Sequence, residues 1–290
     1  MKRFLWRFLT STLAFLCLTL RAELPPPEKI TWLINDAPPF FITQGQHKLT
    51  GICDVTLSAL QQALPNIQHE ELILPHTRIG KYLDEGQHAC FPCMIKRAHA
   101  TDRATYSDGT VVYPPHVLVL APQIENKAGI TGKAVISLTQ LLTDNELIFA
   151  RHGGRQFGPL LDQVLSQLSD KSEQLILRNE GKSTTSVLRL LQIQRADFTI
   201  EYPAIVNFFN TTEQQNLKQV LIAENQHQPV VGAVGCATHA DDNFALRALT
   251  SINGALRDIV VKPEYQHSVS RWFTSNQQYQ QWYQELVVKH

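Results

Sequence analysis

Apolar and polar positions along this chain follow two rhythms, and the rhythm changes at short clusters of proline, glycine, asparagine and aspartate. Ile30 to Ile34 is an apolar, partly β-branched run stopped by Asn35, Asp36, Pro38 and Pro39, which predicts a buried strand ending in a stiff loop. Past Gly51, the apolar residues Val55, Ala59, Leu60, Ala63 and Leu64 recur at helical spacing until Pro65, which predicts a helix. Glu71 to Leu74 reads as a strand, Ile79 to Leu83 as a short helix and Ala89 to Ile95 as a third strand. Strand and helix alternate here as in one α/β lobe with a parallel sheet.

The stretch Ser107, Asp108, Gly109, Tyr113, Pro114 and Pro115 is dense in turn residues and reads as a crossover, from which the strand Val117 to Ala121 departs. A second alternating block follows. Ser137 with Gln140 marks a helix start, Leu147 to Ala150 a strand, and Gly153-Gly154 the opening of a helix carrying Phe157, Leu160, Leu161, Val164, Leu165 and Leu168. Then come a strand Leu175 to Leu177, a helix Val187 to Ile193 and a strand Asp197 to Ile200. Val230 to Cys236 predicts a further strand, and Phe244, Ala248, Leu249, Ile252, Leu256 and Ile259 one apolar helix face. The aromatic tail from Tyr265 through Trp272, Phe273, Tyr279, Trp282 and Tyr283 is expected to dock on a core.

The first residues change the picture of where this fold works. Lys2, Arg3 and Arg7 precede an apolar run from Phe8 to Leu20, the pattern of a secretory signal peptide spanning 1–22, with cleavage expected after Ala22. Bulky Leu16 before Cys17 argues against a lipidation site. The cut removes Lys2, Arg3, Arg7 and Arg21 and no acidic residue, so a formal charge of +0 becomes about −4, which excludes a basic nucleic-acid surface. Export leaves Cys53, Cys90, Cys93 and Cys236 where disulfides persist; four cysteines permit three full pairings, and spacing alone does not choose.

The order of these pieces, with W-L-I-N-D-A-P-P-F-F-I from Trp32, T-G at Gly51, Arg78, Gly86, Lys96, Ser107-Asp108, G-G-R-Q-F-G from Gly153 and A-D-F-T-I-E-Y-P from Ala196, resembles the family 3 extracellular solute-binding proteins over nearly the whole mature chain. The resemblance implies an α/β, two-lobed periplasmic binding protein-like (type II) fold, each lobe a mixed, mainly parallel sheet flanked by helices, joined by two crossover strands. Lobe one would be 28–112 plus 231–290 and lobe two 113–230. It also implies a periplasmic monomer that closes on a small-molecule ligand and delivers it to a membrane importer or sensor, with no nucleic acid and no cofactor. The same resemblance makes the strands of Cys90 and Cys236 neighbours and so implies a bridge between them.

The candidate ligand contacts follow from both readings. Phe40 and Phe41 offer an apolar wall, one of them facing the core; Asp36 stands near the hinge or caps its own turn. Lys96 and Arg97 leave the third strand on the cleft side or form a solvated pair. Gly154, Arg155 and Gln156 sit where free backbone N–H groups at a helix start would suit an anion, with Arg155 a bidentate donor; a plain glycine turn is the alternative. Aligned to amino-acid binders, Ala100 replaces the arginine that grips the α-carboxylate, for which Arg97 or Arg103 could substitute only if the loop shifts, and Tyr202 beside Glu201 replaces the aspartate that holds the ammonium. Ordinary amino acids are therefore expected to bind weakly, because a buried ligand charge without a partner is costly. Cys90-x-x-Cys93 has thiol-oxidoreductase spacing but falls on a strand, and no second pair completes a zinc site. The 11 histidines are scattered, and His99, His116 and His152 read as surface residues. The chain is read as a binding protein and not an enzyme; a dehydratase or hydrolase on the same fold, with Glu201 or Asp36 as acid or base, and a degenerate non-binding interaction protein are the rivals.

Overall fold

The computed structural model describes residues 24–127, 130–143, 146–153, 155–168, 173–178 and 185–289; the segment expected to be a signal peptide and Gly154 lie outside them. Two sheets organise the molecule. The first has the order β2-β1-β3-β11-β4, built from β1 (Lys29–Ile34), β2 (Gln68–Ile73), β3 (Ala89–Ile95), β4 (Ala104–Tyr113) and β11 (Val230–Ala237). The second has the order β6-β10-β5-β9-β7-β8, from β5 (Val117–Leu120), β6 (Val135–Ile136), β7 (Phe149–His152), β8 (Leu175–Arg178), β9 (Phe198–Glu201) and β10 (Lys218–Ile222). The chain crosses between them twice, after β4 and before β11. In the first sheet β1 runs parallel to β2 and β3, and β11 antiparallel to β3 and β4.

Helices cover both sheets because their apolar stripes need a partner. Helix α1 (Ile52–Ala63) and α7 (Phe244–Ile259) bury Ile52, Leu57 and Leu60, and Phe244, Leu249, Ile252, Leu256 and Ile259, against the first sheet. α2 (His76–Asp84) adds Ile79 and Leu83. In the second lobe β5 is buried throughout, with Leu118 and Leu120 in one apolar cluster and Val117 and Val119 in the other, as the two-residue strand period requires. Helices α3 (Leu138–Leu141), α4 (Pro159–Leu165), α5 (Ser186–Gln192) and α6 (Pro203–Thr212) flank that sheet. The aromatic tail forms α8 (Pro263–Val269), α9 (Gln277–Tyr283) and a closing π turn, with Tyr265, Trp272, Phe273, Tyr279 and Tyr283 buried in the first lobe.

Two elements differ from expectation. Ser107-Asp108-Gly109 is strand, not turn: it lies inside β4, where pairing to β11 shifts register twice. Ser107 Oγ accepts from Val234 N at 2.9 Å and Asn253 Oδ1 from Asp108 N at 2.9 Å, so side chains supply the bonds that the irregular ladder omits. The helix expected to open at Gly153-Gly154 starts later in the chain. α4 begins at Pro159, and residues 155–158 are irregular, because Asp162 folds back to take Phe157 N at 2.9 Å and Gly158 N at 3.1 Å. Asp162 thus takes the N–H groups of the two residues before α4, and Arg155 N donates to His152 O at 3.2 Å.

Two disulfides tie the first lobe. Cys90 and Cys236 face one another across β3 and β11, and Cys53 of α1 bridges to Cys93 of β3.

Candidate functional site

The carboxyl ends of β7 and β9 and the start of β5 face the first lobe, the edge at which an α/β sheet presents its ligand groups. The β5–β9 register sets Val117 opposite Glu201. One step further brings His116 against Tyr202, whose rings stack with centroids 3.9 Å apart. His116 is only 5% exposed; its ring also meets Phe157 edge-on at 5.6 Å, and Asn225 Nδ2 donates to its carbonyl at 3.3 Å. It is a buried residue, contrary to the surface position expected of it.

Arg155 enters the same group of rings from the irregular segment after β7. Its Nη2 donates to Glu201 Oε2 at 3.0 Å, and its guanidinium lies 5.9 Å from the Phe157 ring centre and 5.8 Å from that of Tyr202. Glu201 is almost fully buried and also accepts from Tyr202 N at 3.3 Å. Beyond it, His152 Nε2 meets Ser186 Oγ at 3.0 Å.

The first lobe contributes Phe40. Its ring stands edge-on to Tyr113 at 5.6 Å and to Tyr202 at 6.3 Å. The loop holding it is fastened to the start of α1: Ile52 N donates to Pro39 O at 3.0 Å and Cys53 N to Phe40 O at 2.8 Å. Asp54 then accepts from Ile42 N and Gly51 N, both at 2.9 Å. A Cβ at Gly51 would lie 2.3 Å from Phe40 O, so only glycine permits this approach. Tyr113 Oη sits 3.7 Å from Cys53 Sγ and 4.0 Å from Cys93 Sγ; a disulfide sulfur carries no proton, so the hydroxyl donates.

The electrostatics of the cluster follow from its burial. Burial pushes the Glu201 carboxyl up, while the Arg155 charge, the Tyr202 N–H and His152 oppose the shift. Burial, helped by the Arg155 charge, takes His116 down to about 3, so its ring is neutral at ordinary pH. The same two causes lower His76, the first residue of α2, which brings the first lobe within the field of Arg155. The buried atoms with no hydrogen-bond partner among the described residues include Nε2 of His116 and Nε of Arg155 in this cluster, and Oδ1 of Asn225, whose Nδ2 bonds the His116 carbonyl.

The other residues singled out from sequence lie elsewhere. Asp36 accepts from Thr43 Oγ1 at 2.7 Å and caps its own exposed loop. Phe41 is in the core against Phe91. Lys96 Nζ lies 4.0 Å from Asp108 Oδ1, and Arg97 is exposed. Arg103 is held bidentately by Asp84, at 2.8 Å through both Nε and Nη2. Gln156 is exposed and, with Arg151, Arg155 and Asp162, lines a cavity of about 330 Å³. A second cavity, about 420 Å³, lies on the outer face of α7 and holds no charged group. Arg155 joins the first cavity to the inter-lobe cluster, while Glu201, Tyr202, His116 and Phe40 line neither cavity; the cluster, where the buried charge pair and the rings of both lobes meet, is the better candidate. Among the described residues no three His, Cys, Asp or Glu side chains gather as a metal would require. Sequence reading missed His116 and Tyr113; the signal available was Pro114-Pro115, a rigid pair that fixes both residues at the crossing between lobes.

No family model matches the sequence, and no curated protein matches it. Solved structures match the fold. A probable amino-acid ABC transporter extracellular-binding protein from Bacillus subtilis matches with TM-score 0.61 at 16% identity, over 84% of this chain and 96% of its own. An arginine-specific periplasmic binding protein from Salmonella typhimurium matches with TM-score 0.58 at 14% identity, over 86% and 100%. An ancestral amino-acid-binding protein, described as a precursor of cyclohexadienyl dehydratase, matches with TM-score 0.58 at 13% identity, over 85% and 96%. This protein has the two-lobed fold of the periplasmic binding proteins.

Proposed function

We propose that this protein is a periplasmic solute-binding protein that clamps a small carboxylate-bearing ligand between its lobes and presents it to a membrane importer or sensor. Arg155 carries the reading. It is a cation held among aromatic rings at the lobe boundary, neutralised on one side by Glu201 and with Nε still unpaired. Phe40 from one lobe and Tyr202 from the other supply walls that close together, so a ligand between them favours the closed state. The binding-protein descriptions of the fold relatives support the class, and the leader supports export. Free amino acids are expected to bind weakly: Arg103 is engaged by Asp84, and Arg155 already neutralises Glu201. Binding is preferred to catalysis because Glu201, the buried acid of the cleft, is fixed by two donors.

The test is a thermal-shift screen of the mature protein against organic acids, amino acids, peptides and polyamines. A carboxylate at 100 times its Kd should stabilise the fold by about 2.7 kcal/mol, and Arg155→Gln should abolish that gain. Silence from every carboxylate, or a response untouched by Arg155→Gln, would overturn the reading.

A further inference from the structure

Resting on that reading, a finer statement about the ligand comes from the polar atom that nothing in the cleft satisfies. His116 is fixed from three sides: its ring stacks on Tyr202, meets Phe157 edge-on, and its carbonyl takes Asn225 Nδ2. What remains is Nε2, buried and without a partner among the described residues. Arg155 shares both rings with His116, and its own Nε is likewise unpartnered and buried. Two unpaired atoms, on residues that pack against the same two rings, point to a ligand that offers each of them a partner. The guanidinium calls for an anionic oxygen. The imidazole is neutral, and its Nε2 accepts or donates according to the tautomer, so it calls for a neutral group able to do either, a hydroxyl; an ammonium there would lie beside Arg155 and face no unpaired carboxylate.

We propose that His116 is a specificity-determining residue, its Nε2 hydrogen-bonding a neutral hydroxyl of a ligand whose adjacent carboxylate is held by Arg155. The ligand class is a small hydroxycarboxylic acid, and selectivity lies against both the deoxy acid and the amino acid of the same skeleton. A site built around such a bond rejects an analogue lacking the hydroxyl because its own buried atom then stays unpaired. His116 is also the last residue before β5, directly after the chain crosses between lobes, so a bond to it ties ligand recognition to the hinge.

Matched triads test this by titration calorimetry: lactate, propionate and alanine; malate, succinate and aspartate. The native protein should prefer the hydroxy acid of a triad by at least about tenfold. His116→Phe keeps a ring on Tyr202 and Phe157 and should erase that preference, whereas His116→Gln, which restores a polar side chain, should recover part of it. A preference for the ammonium-bearing member, or one unchanged in His116→Phe, would sink the proposal while leaving the clamp intact, provided Arg155→Gln still abolishes binding. If no carboxylate binds at all, the clamp reading falls and takes this proposal with it.

Discussion

Glu224 stands in front of α3 without belonging to it. Its carboxylate accepts from Ser137 Oγ at 2.8 Å and from Leu138 N and Thr139 N, both at 3.0 Å. Burial alone would raise its pKa, but these bonds outweigh burial and hold it down to about 2, against an ordinary 4.5. The folded state therefore resists protonation longer than the unfolded chain. The stability this confers is complete above about 4.5 and is lost as pH falls toward about 2. Glu224→Gln should flatten the decline over that window, read as urea midpoints at successive pH values. His116 works in the same direction at higher pH. Its folded pKa of about 3 lies below the ordinary 6.5, so the unfolded chain takes the proton first and stability declines as pH drops below 6.5. In His116→Phe the slope between pH 6.5 and 5 should be shallower, with the lowered His76 keeping a residual slope of the same sign. Arg155, Glu201 and Tyr202 could be named from their places after strands. The partner that neutralises Arg155 could not, because Glu201 is 46 residues away and only the β7–β9 pairing brings them together.

At the scale of elements, α4 shows how a helix start can be misread. Glycines before an apolar periodicity resemble a loop opening into a helix, yet the stronger signal lay further on: Pro159 at the first helical position and Asp162 three residues later. Asp162 caps the turn and in doing so fixes Phe157, against which Arg155 and His116 pack. Asp162→Ala should cost about 1 kcal/mol of stability, the usual loss of a cap, measured by chemical denaturation. It should also weaken ligand affinity, because the Phe157 wall loses its anchor. β4 is the opposite case. Its Ser-Asp-Gly run has turn chemistry, but a Cβ at Gly109 would lie 2.9 Å from Val231 Cγ1 and 3.1 Å from Leu286 O. The glycine serves close packing within a sheet, which local propensity does not register. The helices α1 and α7 were legible from periodicity because each has one continuous apolar face, whereas α6 and β10 left no separate mark in the reading.

Across the whole molecule, the lobes touch away from the ring cluster as well. Asn207 Nδ2 of α6 donates to Trp272 O at 3.0 Å, and the Phe208 ring meets that of Trp272 at 5.0 Å. The tail of the first lobe thus packs on a helix of the second. Within the first lobe, the Cys90–Cys236 bridge spans a separation of 146 residues and the Cys53–Cys93 bridge one of 40. Replacing Cys90 and Cys236 together by alanine should cost about 2–5 kcal/mol, seen as a lower urea midpoint under oxidising conditions, and more than replacing the other pair, since the longer loop restricts the unfolded chain further. The position of β11 has a consequence in time. It lies between β3 and β4, and β4 pairs with no other strand of its sheet, yet β11 is encoded only after the whole second lobe. A chain emerging from its amino end holds every strand of the second lobe before the first lobe has the strand that joins β3 to β4. The guest is complete before the host, and until residue 230 arrives β3 and β4 wait with open edges, exposed to mispairing with other chains. A chain broken after β10 but ahead of that point retains a lobe able to hold Arg155 but lacks the strand that completes the opposing jaw.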